Sequence, residues 1–229
     1  MIADADISSP AALIGDPTRA TFLMALSDGR ILPASELAQR AGVSASTASV
    51  QLAKLVEGGL LEAERNGRHR YYRLADPSIA TAIESLAVIA PRRPASSLRQ
   101  ARAGSELQAA RTCYDHLAGA LGVALFEALR RQRLLTTGLE VTRRGAKRFG
   151  DLGIDVDELA GRRRPLTRRC LDWTERRHHL AGSLGAALAA RCFELGWIER
   201  LPSSRALRVT EKGRRGLTRA LAIPPHRAA

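Results

Sequence analysis

The chain is poor in cysteine and in aromatic residues. Its 229 residues include three cysteines, Cys113, Cys170 and Cys192, and phenylalanine, tryptophan and tyrosine together make up 4%. A small, odd cysteine count excludes a disulfide-built scaffold and fits a reducing compartment. Scarce aromatics leave a core of leucine, alanine, valine and isoleucine, a mix that favours helix over sheet. Charge or turn residues break every apolar run before it reaches the length of a membrane span. Met1 to Pro10 carries Asp4 and Asp6 and no basic residue, unlike a secretory signal. The cytoplasm is therefore the expected location, with no membrane partner. Phosphate-binding glycine loops, nucleophile elbows and paired catalytic carboxylates are also missing, so the chain does not read as an enzyme. Thiol chemistry at Cys113 beside His116 is the best enzymatic alternative, and no substrate pocket can be assigned to it.

Positive charge is in excess. Lysine and arginine number 36 against 23 acidic residues, a formal net charge of +13. Such a chain suits a polyanionic partner, because each neutralised phosphate releases counterions. Free use of arginine has the same composition, so motifs must decide. At 45% hydrophobic residues the chain is long and apolar enough to bury a core.

Residues 1–90 read as helices followed by a hairpin. Asp16-Pro17 starts a helix, with the acid as N-cap and proline at the first helical position. Ser35 is the expected cap of a short helix, Glu36 to Arg40, which Ala41-Gly42 ends. Ser44 caps a third helix running to about Glu57, stopped by Gly58-Gly59. Strands Leu60 to Arg65 and Arg68 to Leu74 flank Asn66-Gly67, a two-residue hairpin signal. A further helix, Pro77 to Ile89, closes the region.

Leu37-Ala38-x-x-Ala41-Gly42-Val43-Ser44 has the form of a helix-turn-helix. Gly42 permits the tight reversal, and Val43 packs the two helices together. The helix after Ser44 then enters a major groove. Its outward residues Ser46, Thr47 and Ser49 are small and polar. Gln51 can pair with adenine, and Lys54 follows. The hairpin is a basic wing carrying Arg65, Arg68, His69, Arg70 and Arg73, suited to phosphates or the minor groove.

These stretches, GDPTRATFLMAL and ELAQRAGVSASTASVQLAKLVEGGLLEAERNGRHRYYRL, resemble the DNA-binding domain of arsenic-repressor-type (ArsR) regulators. The resemblance covers about residues 8–90. It implies a homodimer joined through the first and last helices of the domain, binding a palindromic operator on double-stranded DNA. It also implies a repressor released by an effector. Two departures stand out. Neither familiar metal site of that family has its ligands here: Glu36 to Arg40 contains no cysteine, and Thr81 to Ala90 contains no cysteine or histidine. The chain also carries an added C-terminal half.

Residues 91–103 read as a basic linker, helical toward its end, and 104–229 as a duplicated domain with units of about 104–160 and 161–229. Cys113-Tyr114-Asp115 precedes His116-Leu117-Ala118-Gly119, and Cys170-Leu171-Asp172 precedes His179-Leu180-Ala181-Gly182. An alanine-rich helical run and then Val-Thr-x-x-Gly follow each. Each unit is expected to end like half of a winged helix, with a hairpin around Pro202-Ser203-Ser204 in the second. The fold class is mainly α with short β-hairpin wings (α+β). Cys113, Asp115, His116, Cys170, Asp172, His178 and His179 are all of metal-ligating type. Three readings stay open: a transition-metal, metalloid or thiol sensor; histidines capping helices with cysteines packed as small hydrophobes; or a pocket for a small organic effector lined by Tyr114, Trp173 and Phe126. Cys192 reads as core. Arg162-Arg163-Arg164 and Arg168-Arg169 read as a DNA-touching or a solvated run. The rival overall reading is a ligand-binding protein that uses its winged helix only to dimerise.

Overall fold

The computed structural model describes residues 4–91, 94–202 and 204–223. Arg92 and Arg93 of the expected linker, and Ser203 of the expected turn, lie outside the described residues. The chain divides into two compact units, Met1–Glu84 and Ser85–Ala229.

The first unit opens with α1 (Ser8–Ile14) and α2 (Pro17–Leu26). Asp16 caps α2 by accepting the Arg19 N–H at 2.9 Å, with Pro17 at the first helical position. A short strand β1 (Leu32–Pro33) leads into α3 (Ala34–Ala41), and α4 (Ala45–Glu57) follows. The cap of α3 is Pro33, not Ser35, and the helix begins two residues earlier than the serine suggested. Proline's fixed φ and missing N–H suit that boundary.

The wing is β2 (Leu61–Asn66) and β3 (His69–Leu74), with β1 added on the far edge of β3. Asn66 pairs with His69, so the loop is Gly67-Arg68, one residue later than the expected Asn66-Gly67. Gly67 has φ of 59°. A tight hairpin with glycine at its first central position matches the strand twist, and the sidedness of Tyr72 and Leu74 sets the register. Both are buried, along with Phe22, Leu23, Leu26, Leu37, Ala48, Leu52 and Leu55. The next helix, α5, spans Pro77–Ile89.

The second unit contains α6 (Leu98–Ala109), capped by Ser97, so helix begins inside the expected linker. Then comes a hairpin, β4 (Arg111–Cys113) and β5 (His116–Ala118), leading into α7 (Gly119–Arg131). After α8 (Arg143–Asp151) and the short α9 (Val156–Ala160), a second hairpin follows, β6 (Arg168–Leu171) and β7 (His178–Ala181). It leads into α10 (Gly182–Glu194), then β8 (Ile198–Arg200), β9 (Leu207–Val209) and α11 (Glu211–Leu221). The histidines before Leu-Ala-Gly sit on strands, not at helix caps.

Several local features occur twice. Gly119 and Gly182 both have positive φ at the strand-to-helix step. Thr142 caps α8 by accepting the Gly145 N–H, and Thr210 caps α11 through Gly213. The Thr142 and Thr210 hydroxyls donate to the Arg133 and Gly196 carbonyls. β8 and β9 pair as an antiparallel hairpin, whereas the shorter counterpart closes with a single bridge, Leu135 to Val141. Leu121, Leu125, Leu129, Leu184, Leu188 and Cys192 share one apolar core. None of the described helices is long and apolar enough to cross a membrane.

Candidate functional site

Two surfaces carry chemistry, one in each unit. In the first, α3 ends at Gly42 with φ of 65°, the left-handed residue that lets the chain turn directly into α4. The Ser44 hydroxyl accepts the Thr47 N–H at 3.1 Å and lies 2.9 Å from both the Ser46 and Thr47 hydroxyls. Ala48, Leu52 and Leu55 face the core, which leaves Ser46, Thr47, Ser49, Val50 and Lys54 exposed along the opposite side. Gln51 is half-buried, and its amide oxygen accepts from Arg19 at 2.6 Å. Arg19 also donates to the Leu13 and Ala12 carbonyls, tying the end of α1 to the recognition helix. An adenine pair needs that same amide oxygen, a restraint the sequence did not reveal.

On the wing, Arg65, Arg68, His69, Arg70 and Arg73 are all exposed. Arg73 is forked onto Glu62 at 2.6 and 2.9 Å. Arg65 donates to the Gly67 carbonyl, Arg68 to His69, and Arg70 lies over the Tyr72 ring.

The second site lies in the Ser85–Ala229 unit, where the two hairpins meet. Strand pairing sets Cys113 opposite His116 and Cys170 opposite His179. The sulfurs of Cys113 and Cys170 lie 3.9 Å apart, and the Nε2 atoms of His116 and His179 lie 3.2 Å apart. One ligand atom from each of the four falls within 4.8 Å of every other, and all four side chains are buried.

Behind each histidine stands a carboxylate. Asp115 Oδ1 lies 3.2 Å from His116 Nδ1, and Asp172 Oδ2 lies 3.2 Å from His179 Nδ1. Each carboxylate is in turn met by an arginine. Arg164 forks onto Asp115. Arg111, fully buried, stands 3.1 Å from Asp172, donates to Thr174 and lies over Trp173. Asp172 also accepts the N–H groups of Gly119 and Thr174.

Asp115 and Asp172 therefore lie behind the histidines, outside the cluster of Cys113, His116, Cys170 and His179. His178 is exposed on β7, on the face opposite His179, because strand neighbours alternate. Arg111 and Arg164 were not anticipated. The sole sequence trace of Arg164 is its place in the 162–164 run, where Arg162 instead pairs with Glu158.

The electrostatics follow from these neighbours. Burial would raise the Asp115 carboxyl, yet the His116 ring and Arg164 hold it down at about 2. Burial also opposes the charge on Asp172, but His179, Arg111 and Thr174 keep it well below the usual carboxylate range. The Cys113 thiol beside Cys170 lowers the latter's pKa despite burial, helped by both imidazoles. His179 is disfavoured as a cation by burial, but Asp172 and Cys170 raise it overall. Cys192 lies apart in the core, where burial alone pushes it up to about 12.

Tyr114 occupies the first hairpin's turn, Phe126 the core, and Trp173 the stack with Arg111. A cavity of about 440 Å³ beside α9 and α10 is lined by other residues, among them Asp155, Glu158, Arg162, Arg191 and Glu194.

The helix-turn-helix and wing define a DNA-binding protein. The family model of a helix-turn-helix domain matches residues 14–64. The HTH-type transcriptional regulator YdfF of Bacillus subtilis (strain 168) is 46% identical over 212 residues, covering 91% of this chain and 94% of the relative. The chain belongs to the HTH-type transcriptional regulators: it is a DNA-binding regulator of transcription with a winged helix-turn-helix domain, not an enzyme. Among solved structures, the cadmium sensor CmtR of Mycobacterium tuberculosis is 32% identical, with 41% of this chain and all of that chain covered and a TM-score of 0.32. The repressor BigR of Xylella fastidiosa is 26% identical, with 38% and 88% covered and a TM-score of 0.35. The homodimeric domain Mb0332 of Mycobacterium bovis, a possible ArsR-family regulator, is 26% identical, with 39% and 89% covered and a TM-score of 0.34.

Proposed function

We propose that the protein is a cytoplasmic homodimeric repressor that binds a palindromic operator and is released by an effector sensed in a duplicated C-terminal half. One observation carries the DNA-reading part. The capped helix α4 buries Ala48, Leu52 and Leu55 and turns Ser46, Thr47, Ser49 and Lys54 outward beside an exposed arginine wing. In a dimer, two such helices sit in successive major grooves about 34 Å apart. Ser46, Thr47 and Ser49 let the backbone approach base edges, Gln51 reads a base when Arg19 yields its amide, and Arg65, Arg68 and Arg70 meet phosphates. The exposed apolar residues Ile7, Leu86 and Ile89 support an interface formed by the first and last helices of the domain. The matched hairpin-helix and Thr-capped elements at 111–151 and 168–221 support the duplication. Of the effector classes, a transition metal or metalloid has assembled ligands, whereas the residues expected to line an organic pocket are dispersed.

The test is full-length protein against double-stranded DNA selected from a random pool, followed by fluorescence anisotropy. Specific binding to an inverted repeat is expected. Arg68→Ala should weaken binding to all sequences and reduce the slope of log K against log salt by about one. Equal affinity for selected and random DNA would return the winged helix to a purely dimerising role.

A further inference from the structure

We propose that Cys113, His116, Cys170 and His179 form a tetrahedral centre for a divalent thiophilic cation, zinc foremost, which joins the two hairpins of the C-terminal unit and is the effector of the regulator. Its regulatory meaning rests on the proposed function; its coordination chemistry does not.

The sulfur–sulfur and nitrogen–nitrogen separations match the cation. Bonds of about 2.3 Å to sulfur and about 2.0–2.1 Å to nitrogen, at tetrahedral angles, set two sulfurs about 3.8 Å apart and two nitrogens about 3.3 Å apart. The observed separations are 3.9 Å and 3.2 Å.

The second argument is the orientation of the rings. A carboxylate faces Nδ1 of each imidazole, and an ionised carboxylate only accepts. Each ring, when neutral with its proton on Nδ1, turns a bare lone pair outward at Nε2. The two Nε2 atoms face each other inside a buried site whose other members are two sulfurs. A proton can bridge the two nitrogens alone, whereas a metal ion serves both nitrogens and both sulfurs together. Carboxylate-to-histidine pairing is also the usual outer support of a ligating imidazole.

The charges select the valence. Two thiolates balance one divalent ion, while Asp115 is balanced by Arg164 and Asp172 by Arg111. The buried assembly is then neutral. A monovalent copper ion would leave one negative charge uncompensated, at a desolvation cost. The ligand set spans both hairpins, with two ligands from each. A Cβ at Gly122 of α7 would stand 3.4 Å from the His179 Cβ, and one at Gly185 of α10 would stand 3.4 Å from the His116 Cβ. Each helix thus backs the other hairpin's histidine, so closing the centre draws both repeats together. On coordination the four-residue site gives up two protons to solvent as the sulfur–metal and nitrogen–metal bonds form.

The experiment is titration of reduced, chelator-stripped full-length protein with Co2+ and then Zn2+. Expected are one equivalent per chain, thiolate-to-cobalt charge-transfer with tetrahedral d–d bands, and displacement by zinc. Cys113→Ser and His179→Ala should abolish the bands while far-UV dichroism is kept. Asp115→Asn, which leaves every ligand in place, should weaken affinity about 10- to 100-fold. Cys192→Ala should bind as the native chain does. Zinc should change affinity for selected DNA by at least about fivefold in the native protein and not in Cys113→Ser. Several results would overturn the centre: no stoichiometric uptake, an octahedral cobalt spectrum, binding indifferent to Cys113→Ser, or a Cys113–Cys170 disulfide forming in a protein that takes no metal when reduced. Metal binding with unchanged DNA affinity would overturn the effector role alone. Failure to bind any DNA in either the metal-free or the metal-bound state, with one equivalent taken up, would strike the regulator reading and leave the centre standing.

Discussion

Ser44 sets where the recognition helix begins. Its hydroxyl satisfies the Thr47 N–H, one of the four donors that a helix start leaves open. Ser44→Ala should lower stability by about 1 kcal/mol in urea unfolding, without moving the far-UV spectrum of the folded state. An unchanged midpoint would mean that solvent caps the helix equally well. The cysteines differ just as sharply. Cys192, pushed up to about 12 by burial among apolar side chains, stays protonated at neutral pH. Iodoacetamide at pH 8 should leave it unmodified in the folded protein and alkylate it only after unfolding. Cys170, lowered by Cys113 and the two imidazoles, should react first in metal-free protein. Peptide mass spectrometry reads both, and early labelling of Cys192 would contradict its place in the core.

At the scale of elements, the two hairpins need helices that come very close. Gly122 and Gly185 face the Leu117 and Leu180 carbonyls so tightly that an added Cβ would collide with backbone. Backbone cannot swing aside as a side chain does, so Gly122→Ala should cost about 1–3 kcal/mol. The readout is the thermal midpoint of the full chain, and a neutral effect would mean that α7 can shift outward. The wing follows a different logic. Its Arg73 is engaged by Glu62, whereas Arg65 and Arg70 project from the strands, and Arg68 from their loop, in a hairpin that Tyr72 and Leu74 anchor. Turn geometry and one buried face together fix which arginines a phosphate can meet.

For the molecule as a whole, a ligand that binds only the folded state adds stability by mass action. Zinc at a hundred times its dissociation constant should stabilise the protein by about 2.7 kcal/mol. The gain should vanish with chelator and be absent in Cys170→Ser. Hydrogen exchange should slow at 111–118 and 168–181 on metal addition. Uniform slowing, or none, would contradict a centre built from those hairpins. The formal charge of +13 belongs to this scale too, since it draws the protein to DNA at low salt irrespective of base sequence.

Local signals in the sequence were enough for the first unit. Asp16-Pro17, Ser44, Gly42 and the Gly67 hairpin are capping and turn chemistry that acts over three or four residues, so helix and strand order could be read directly. The errors there were small shifts, two residues at Pro33 for Ser35 and one at Gly67-Arg68 for Asn66-Gly67, where neighbouring residues compete for one boundary. The repeated Cys-x-Asp and His-Leu-Ala-Gly, with His178 beside the second, marked seven candidate ligands, of which Cys113, His116, Cys170 and His179 cluster in the structure. Their arrangement was beyond the sequence by itself. Cys113 and Cys170 are 57 positions apart and His116 and His179 are 63 apart, and only packing of α7 and α10 against opposite hairpins brings them face to face. Packing likewise set Asp115 and Asp172 behind the histidines, turned His178 to solvent, recruited Arg111 and Arg164, and set Arg19 on Gln51. The sequence by itself determined the capped helices, the wing and a set of seven candidate donors, because those signals are local. Tertiary structure decided which donors meet, because that depends on backbone approach between elements far apart in the chain.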